Sequence, residues 1–359
     1  MRLRTLIIGL GLLGNTLAWA QQSPQSKADK FFYEYSFEEA IAEYHKETAK
    51  GPLSLTQIRN LAESYEKMGN KNEALLLYKD LFQRDSTLSN FYVNKMLNLD
   101  LQTTGSEQQA RQFLTSHPDV FTNEVKANAL FNYEVRLEEP DADSQLRIFN
   151  IAANSAQLDF APAFFGENLL FTSSRSQDTK DTYFPTGESF LDLFIGKVQA
   201  DGSVTNAVPY SVVEDFRFHQ ATPYYASSLN KLFYIRSNEK NGRLAFDDNG
   251  KNALALGASD FQDQFTFLMR DLSTSFYYPF FDEDTEKLFF VAEFDDSFGG
   301  TDIYFVYTNN GQIMSAPVNL GPKINSPANE ISPFIIDSSL YFASDVFYGY
   351  GGMDIYKSD

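Results

Sequence analysis

Four stretches of this chain open alike: FAPAFFGENLLFTSSR at 160–175, ATPYYASSLNKLFYIRS at 221–237, YYPFFDEDTEKLFFVAE at 277–293 and ISPFIIDSSLYFASD at 331–345. Each carries a proline, then aromatic or aliphatic residues, a polar turn, and a second run rich in Leu, Phe and Tyr. The prolines Pro162, Pro223, Pro279 and Pro333 lie 61, 56 and 54 residues apart. A repeat of that length suits a four-stranded blade with its loops, and one blade alone cannot bury its apolar face. The chain is therefore expected to stack such units from about residue 151 to 359 as a β-propeller. Its 34 Phe and 20 Tyr fit this, because aromatic side chains favour pleated, half-buried strands.

A third strand is expected in each unit, starting with Asp and carrying an aromatic residue two positions later. The candidates are LDLFIGKV at 191–198, TDIYFVYT at 301–308, MDIYKS at 353–358 and, more weakly patterned, DQFTFLM at 263–269. Gly299-Gly300 and Gly351-Gly352 precede two of them, as tight turns into a strand require. Gly311 is read as the start of a hairpin turn, and Pro317, Asn319, Gly321 and Asn325 as an irregular crossing to the last unit.

The N-terminal third has a different period. In LAESYEKMGNKNEALLLYKDLFQRD at 61–85, Ala62, Tyr65, Gly69, Ala74 and Tyr78 fall at the spacing of a tetratricopeptide helix-turn-helix. Thirty-four residues earlier stand Ala28, Phe31, Ala40 and Tyr44. Small residues let paired helices approach, and the tyrosines fill the space between repeats. A poorer third unit runs from Phe91 to Leu114. Leu99 takes the Tyr65 place, Gly105 and Ala110 match after a two-residue insertion, and His117-Pro118 ends it. The reading is a helical array over 26–120, with a linker or helical connection at 121–150. The fold class is α+β multidomain: a tetratricopeptide-type α-solenoid, then a β-propeller with about four recognisable blades, which if incomplete would leave an unpaired sheet edge.

The opening MRLRTLIIGLGLLGNTLAWAQQ reads as a secretory signal over 1–20. Arg2 and Arg4 lead an apolar run from Leu6 to Leu17, and Ala18-Trp19-Ala20 supplies the small-x-small cleavage pattern. The apolar run is short for a membrane anchor. Export to the periplasm is the expectation. The chain has no cysteine, which excludes disulfides, thiolate metal sites and a lipid-bearing cysteine. A formal net charge of -19 disfavours nucleic acid and anionic lipid as partners.

With these strings in place, the chain resembles a known group. SPF…LYFAS…GGMDIY and NLGPKINS…NEISPF are similar to the PD40 (WD40-like) propeller of TolB-type periplasmic proteins. Joined to a tetratricopeptide array through FNIAANSAQLDFAPAFFGENLLFTSSR, they resemble OmpA-family, PorE-like proteins associated with type IX secretion and gliding in Bacteroidota. The resemblance covers roughly residues 26–359. It implies a periplasmic scaffold, outer-membrane associated through its partners, whose helical groove and propeller faces bind secretion or gliding components. Such proteins continue through further blades into an OmpA-like domain that holds peptidoglycan, which the sequence to Asp359 does not include. A truncated product, or a ring completed by segments such as 238–275, is the corresponding expectation.

The chemistry of catalysis is not written in the sequence. His45, His117 and His219 are scattered, and HExxH, G-x-S-x-G and Gly-rich phosphate-loop patterns are missing. No catalytic, cofactor-binding or metal-binding residue is assigned, no cofactor is expected, and the protein-binding residues are left open. Asp282, Glu283 and Asp284 are read as a solvated turn, and Asp295, Asp296 and Asp302 do not fit a twelve-residue calcium loop. The recurring Asp192, Asp302 and Asp354 are read as acceptors for turn amides. Phe276-Tyr277-Tyr278 and Phe347-Tyr348 are assigned to blade packing ahead of a docking patch. The expected function is non-catalytic scaffolding. A propeller that binds glycan or peptide is the alternative, and a loop-built hydrolase ranks below it.

Overall fold

In the computed structural model the described residues are 25–85, 88–103, 106–117, 126–127, 129–131, 149–175, 182–183, 185, 187–261, 265–345 and 352–359. The expected signal segment 1–20, most of the connection 121–150, Gly105, Pro118, Gly351 and Phe347-Tyr348 lie outside them.

Six helices are described: α1 (Lys27–Tyr33), α2 (Phe37–Thr48), α3 (Leu55–Lys67), α4 (Lys71–Arg84), α5 (Asn90–Thr103) and α6 (Glu107–Ser116). The 34-residue period is a structural one across the first two pairs. Ala28 and Ala62, Ala40 and Ala74, and Tyr44 and Tyr78 are all fully or almost fully buried in equivalent places. Even the turns match. Between α3 and α4 the Gly69 and Asn70 amides reach back to Glu66 O and Tyr65 O; between α1 and α2 the Tyr35 and Ser36 amides reach Phe32 O and Phe31 O. Both turns place one residue in the left-handed region, Gly69 at φ +76° and Tyr35 at φ +60°. Helix ends of this kind favour glycine there, since any Cβ is strained.

The β half is a propeller-like arrangement of four sheets. The first contains β1 (Asp159–Phe165) and β2 (Asn168–Ser173), a small hairpin of β3 (Thr182–Tyr183) and β4 (Glu188–Ser189), then β5 (Asp192–Val198) and β6 (Val204–Pro209), ordered β1-β2-β5-β6. The second contains β7 (Gln220–Ala226), β8 (Lys231–Ser237), the hairpin β9 (Glu239–Lys240) and β10 (Arg243–Leu244), β11 (Leu254–Ser259) and β12 (Thr266–Met269), ordered β7-β8-β11-β12. The third runs β13 (Phe276–Asp282), β14 (Lys287–Ala292) and β15 (Asp302–Asn309), with β16 (Gln312–Ile313) and β17 (Val318–Asn319) both pairing β15. The fourth has β18 (Glu330–Ile336), β19 (Ser339–Ser344) and β20 (Asp354–Ser358). First strands pack in order, β1 on β7, β7 on β13 and β13 on β18. No comparable packing joins β18 to β1 among the described residues.

The anchor prolines have a common physical role. Ladder register shifts between residues 160 and 163, 221 and 224, 277 and 280, and 331 and 334, so every first strand bulges at its proline. The residue before each proline is left-handed: Ala161 at φ +51°, Thr222 at +47°, Tyr278 at +48° and Ser332 at +55°. A bulge removes one amide from the ladder, and proline has none to offer, so the residue fits where a regular strand would reject it.

Two sequence expectations are corrected. The third strand of the second blade is β11, not 263–269; residues 266–269 form its fourth strand, and 262–264 lie outside the described residues. Aligned on the ladder, Asp192 and Asp302 correspond to Ala255, so the second blade lacks the Asp that marked the others. Asn319, read as part of an irregular crossing, lies in β17 and pairs Tyr304 of β15.

Candidate functional site

The second-to-third strand connections of the first three blades, as far as they are described, and Asp345 after β19 lie at the end of the stack that meets the helices. Asn98 Nδ2 on α5 donates to Asp345 O at 2.6 Å, and Gln25 Nε2 to Asn249 O at 3.1 Å. Gly300 lies so close to α5 that a Cβ there would stand 2.9 Å from the Phe91 ring. Tyr35 reaches in from the α1–α2 turn. Burial holds its phenol well above the usual value, and the fields of Tyr277, Tyr183, Asp247 and Glu293 push the same way.

Helices α3 and α5 turn a polar network toward this end. Lys95 Nζ lies 2.9 Å from Glu66 Oε2, which also accepts from the Tyr78 hydroxyl at 3.0 Å. Tyr92 OH donates to Glu63 Oε1 at 3.0 Å, and the Arg59 guanidinium lies 5.4 Å from the Tyr92 ring centre. Desolvation raises the Glu63 carboxyl, with Lys95 and the Tyr92 hydroxyl pulling it back. Desolvation works to lower Lys95, but Glu66 and Glu63 outweigh it and leave the ammonium above its ordinary range. Paired, hydrogen-bonded charges of this sort can be buried without neutralising.

Between the second and third blades lies a polar cavity of about 300 Å³, walled by Lys251, Thr274, Tyr277, Glu293, Phe294 and Asp295 among others. Glu293 acts on Tyr35 and Tyr92 as well as Tyr277, which puts the cavity beside the helices. Carboxylates, an ammonium, a hydroxyl and ring faces in one recess can hold a polar ligand by hydrogen bonds and stacking.

The histidines stay apart. His45 Nε2 contacts Tyr65 OH at 2.6 Å, and His117 Nδ1 contacts Phe113 O and Ser116 Oγ at the end of α6. His219 Nδ1 accepts from the Leu191 amide at 3.0 Å between the rings of Tyr183 and Phe190, and burial lowers its pKa to about 4. Each is an element of packing in the described structure.

The acidic residues are drawn into the fold. Glu283 accepts from the amides of Ser227 and Ser228 and from the Ser227 hydroxyl, fastening the turn of the preceding blade, while Asp282 takes the Thr285 hydroxyl. Asp296 accepts from Tyr304 OH at 2.9 Å. Asp302 takes the Phe298 amide at 2.9 Å and Asn319 Nδ2 at 2.7 Å, and Asp192 takes the Leu193 amide at 2.8 Å. Asp354 opens β20 opposite Ser344. Among the described residues no three His, Asp or Glu side chains converge on a metal position. Phe276 is buried against Phe290 and Phe294, with Tyr277 and Tyr278 half-buried beside it, so this aromatic run is part of blade packing.

Sequence reasoning missed the two inserted hairpins, the Tyr35 contact and Glu330. The carboxyl of Glu330 is fully buried at the start of β18, accepting from the Ser326 amide at 2.8 Å and from the Ser326 and Ser344 hydroxyls. Burial lifts its pKa to about 7, against the pull of those hydrogen bonds. Ladder alignment puts Gln220 at the same place in the second blade.

No family model matches the chain, and no curated protein does. Among solved structures, it is similar to a puromycin-hydrolyzing peptidase of Mycobacterium tuberculosis, at 12% identity and a TM-score of 0.33, over 58% of this chain and 38% of the peptidase. The chain thus spans well under half the length of that enzyme, and at this identity and score the likeness decides nothing about activity.

Proposed function

We propose that the chain is a non-catalytic interaction scaffold of the bacterial envelope, exported by its N-terminal signal and associated with type IX secretion or gliding machinery. In this reading the helices are a tetratricopeptide-type solenoid and the sheets a PD40-type propeller. Peptidoglycan contact is assigned to no residue of this sequence.

One observation carries the scaffold reading. On the ladder, Leu193, Leu256, Ile303 and Ile355 are equivalent third-strand positions. The first three are 0% exposed because the following blade covers them, whereas Ile355 is 81% exposed. At the other end Phe164 is 67% exposed, while its counterpart Phe281 is 1% exposed and stacks on Phe233 of the preceding blade. Exposed apolar side chains such as these suit protein contact. Crosslinking in intact envelopes followed by mass spectrometry tests the reading: secretion or gliding components should be captured, and their consistent absence would overturn the assignment.

The polar cavity between the second and third blades favours a second reading, a propeller that binds glycan or peptide. Recovery of a sugar or free peptide with the purified chain would support it. Turnover on peptidase or glycosidase substrate panels would refute both.

A further inference from the structure

Each first strand has a residue at the same ladder position just before its bulge: Asp159, Gln220, Phe276 and Glu330. In the first two blades that residue is polar and is given an arginine. Arg175 Nη2 lies 2.5 Å from Asp159 Oδ1, and Arg236 Nε donates to Gln220 Oε1 at 3.1 Å. The fourth blade surrounds Glu330, 0% exposed, with the hydroxyls of Ser326 and Ser344 and the Ser326 amide instead. A carboxylate buried among neutral donors is costly, so the site suits the neutral acid. The titratable groups around it add to that cost. Asp302 of β15 acts on Glu330; it is also 0% exposed, and its Oδ1 has no partner among the described residues. Asp296 and Glu293 act on Asp302 in turn. On the neighbouring strands Asp354 lies opposite Ser344, and Asp345 follows it. The field of Asp345 reaches Lys95 of α5, whose ammonium is already bonded to Glu66.

The bonds from Ser326 to Glu330 close a short strap, residues 326–330, onto itself. The strap in turn holds two other places. The Gly300 amide donates to Ala328 O and the Glu330 amide to Thr301 O, both at 2.7 Å. Asn329 grips the Asp345 carboxylate through its amide and its Nδ2, each at 2.9 Å. Gly300 and Asp345 are the points at which the third and fourth blades meet α5, at Phe91 and Asn98. One buried carboxyl thus sits at the root of the contact between blades and helix.

We propose that Glu330 is a pH-sensitive latch: its neutral carboxyl keeps the strap closed and α5 docked on the third and fourth blades, and loss of its proton opens the strap and frees α5 from them. A charge change at one buried group then biases a local two-state element, as in other proton-driven switches. The latch rests on neither reading of the function.

Glu330, at about 7 in the fold against an ordinary 4.5, holds its proton in the closed latch; closing is favoured most below pH 4.5 and weakens as pH rises through 7. Between pH 5.5 and 8.5 this linkage makes opening roughly thirtyfold more favourable. Hydrogen exchange on the purified chain, corrected for intrinsic rates, should show that loss of protection at the amides of Gly300, Asn329 and Glu330, with none in β8 and β11. Glu330→Gln should keep those amides protected at pH 8.5. Ser344→Ala removes a hydroxyl that favours the ionised form, so it should keep the loss and move it to higher pH. Should Glu330→Gln not fold, that shift decides alone. Undocking is read by spin labels on cysteines placed at Leu76 and Met314, 68% and 67% exposed, in a chain with no cysteine of its own. The pair should give one distance at pH 5.5 and a second at pH 8.5 in the parent, and one throughout in Glu330→Gln. Protection that ignores pH, a loss shared by β8 and β11, a loss that persists in Glu330→Gln, an unmoved midpoint in Ser344→Ala, or a single parental distance at both pH values would each overturn the proposal.

Discussion

Replacing Tyr35 by glycine sets two effects of opposite sign against each other. Glycine is the residue the equivalent turn uses at position 69, and it releases a left-handed strain of about 1 kcal/mol. Were Tyr35 only a turn residue, Tyr35→Gly would stabilise the protein by roughly that amount. But the ring is packed at the junction among Tyr183, Tyr277, Asp247 and Glu293, with its phenol raised by burial. Removing a large, largely buried side chain costs on the order of 3 kcal/mol. The net expectation is a loss of about 2 kcal/mol, read from urea denaturation followed by circular dichroism. Gly69→Ala is the control, losing about 1 kcal/mol: its Cβ would have nothing within 4 Å to pack against, and its backbone would be strained. Hydrogen exchange in Tyr35→Gly should rise in α1 and around 244–252 together. A variant as stable as the parent, or more so, would refute the role given to Tyr35 as the pin between helices and blades.

Two further predictions concern the blades. Glu330, lifted from 4.5 to about 7, holds its proton in the fold after the unfolded chain has released it. Stability is therefore greatest below about pH 4.5 as far as this group is concerned, and falls as pH rises to 7, by on the order of 3 kcal/mol. Glu330→Gln, which copies Gln220, should flatten that slope and raise the urea midpoint at pH 8; parallel pH profiles for parent and variant would contradict the account. Gly257 of β11 leaves no room for a side chain, since a Cβ would stand 2.4 Å from both the Phe265 ring and Thr266 O. Gly257→Val should cost about 1–3 kcal/mol through overpacking, measured by thermal melting, and an unchanged melting temperature would show that β12 yields freely.

What the sequence disclosed depended on whether a signal repeated. Pro162, Pro223, Pro279 and Pro333 located every first strand because each occupies the same bulge. The alanines and tyrosines of the helices located two equivalent pairs, because burial falls on them identically. The third strand of the second blade escaped notice when Ala255 replaced the Asp, and LALGAS carries no aromatic residue to betray a strand. The junction was not readable at all. Contacts such as Asn98 to Asp345 join residues 247 apart, with no period to connect them. The same is true of Ser36, whose place at a helix start suggests ordinary capping until the hydroxyl is found without a partner.

The central claim is that the apolar end of the blade stack engages another protein. A photo-crosslinking side chain at position 355 tests it in living cells, with position 193, equivalent but 0% exposed, as the buried control. The account predicts discrete adducts with envelope proteins from 355 and none from 193. Position 355 giving no adduct, or the same diffuse labelling as position 193, would contradict it.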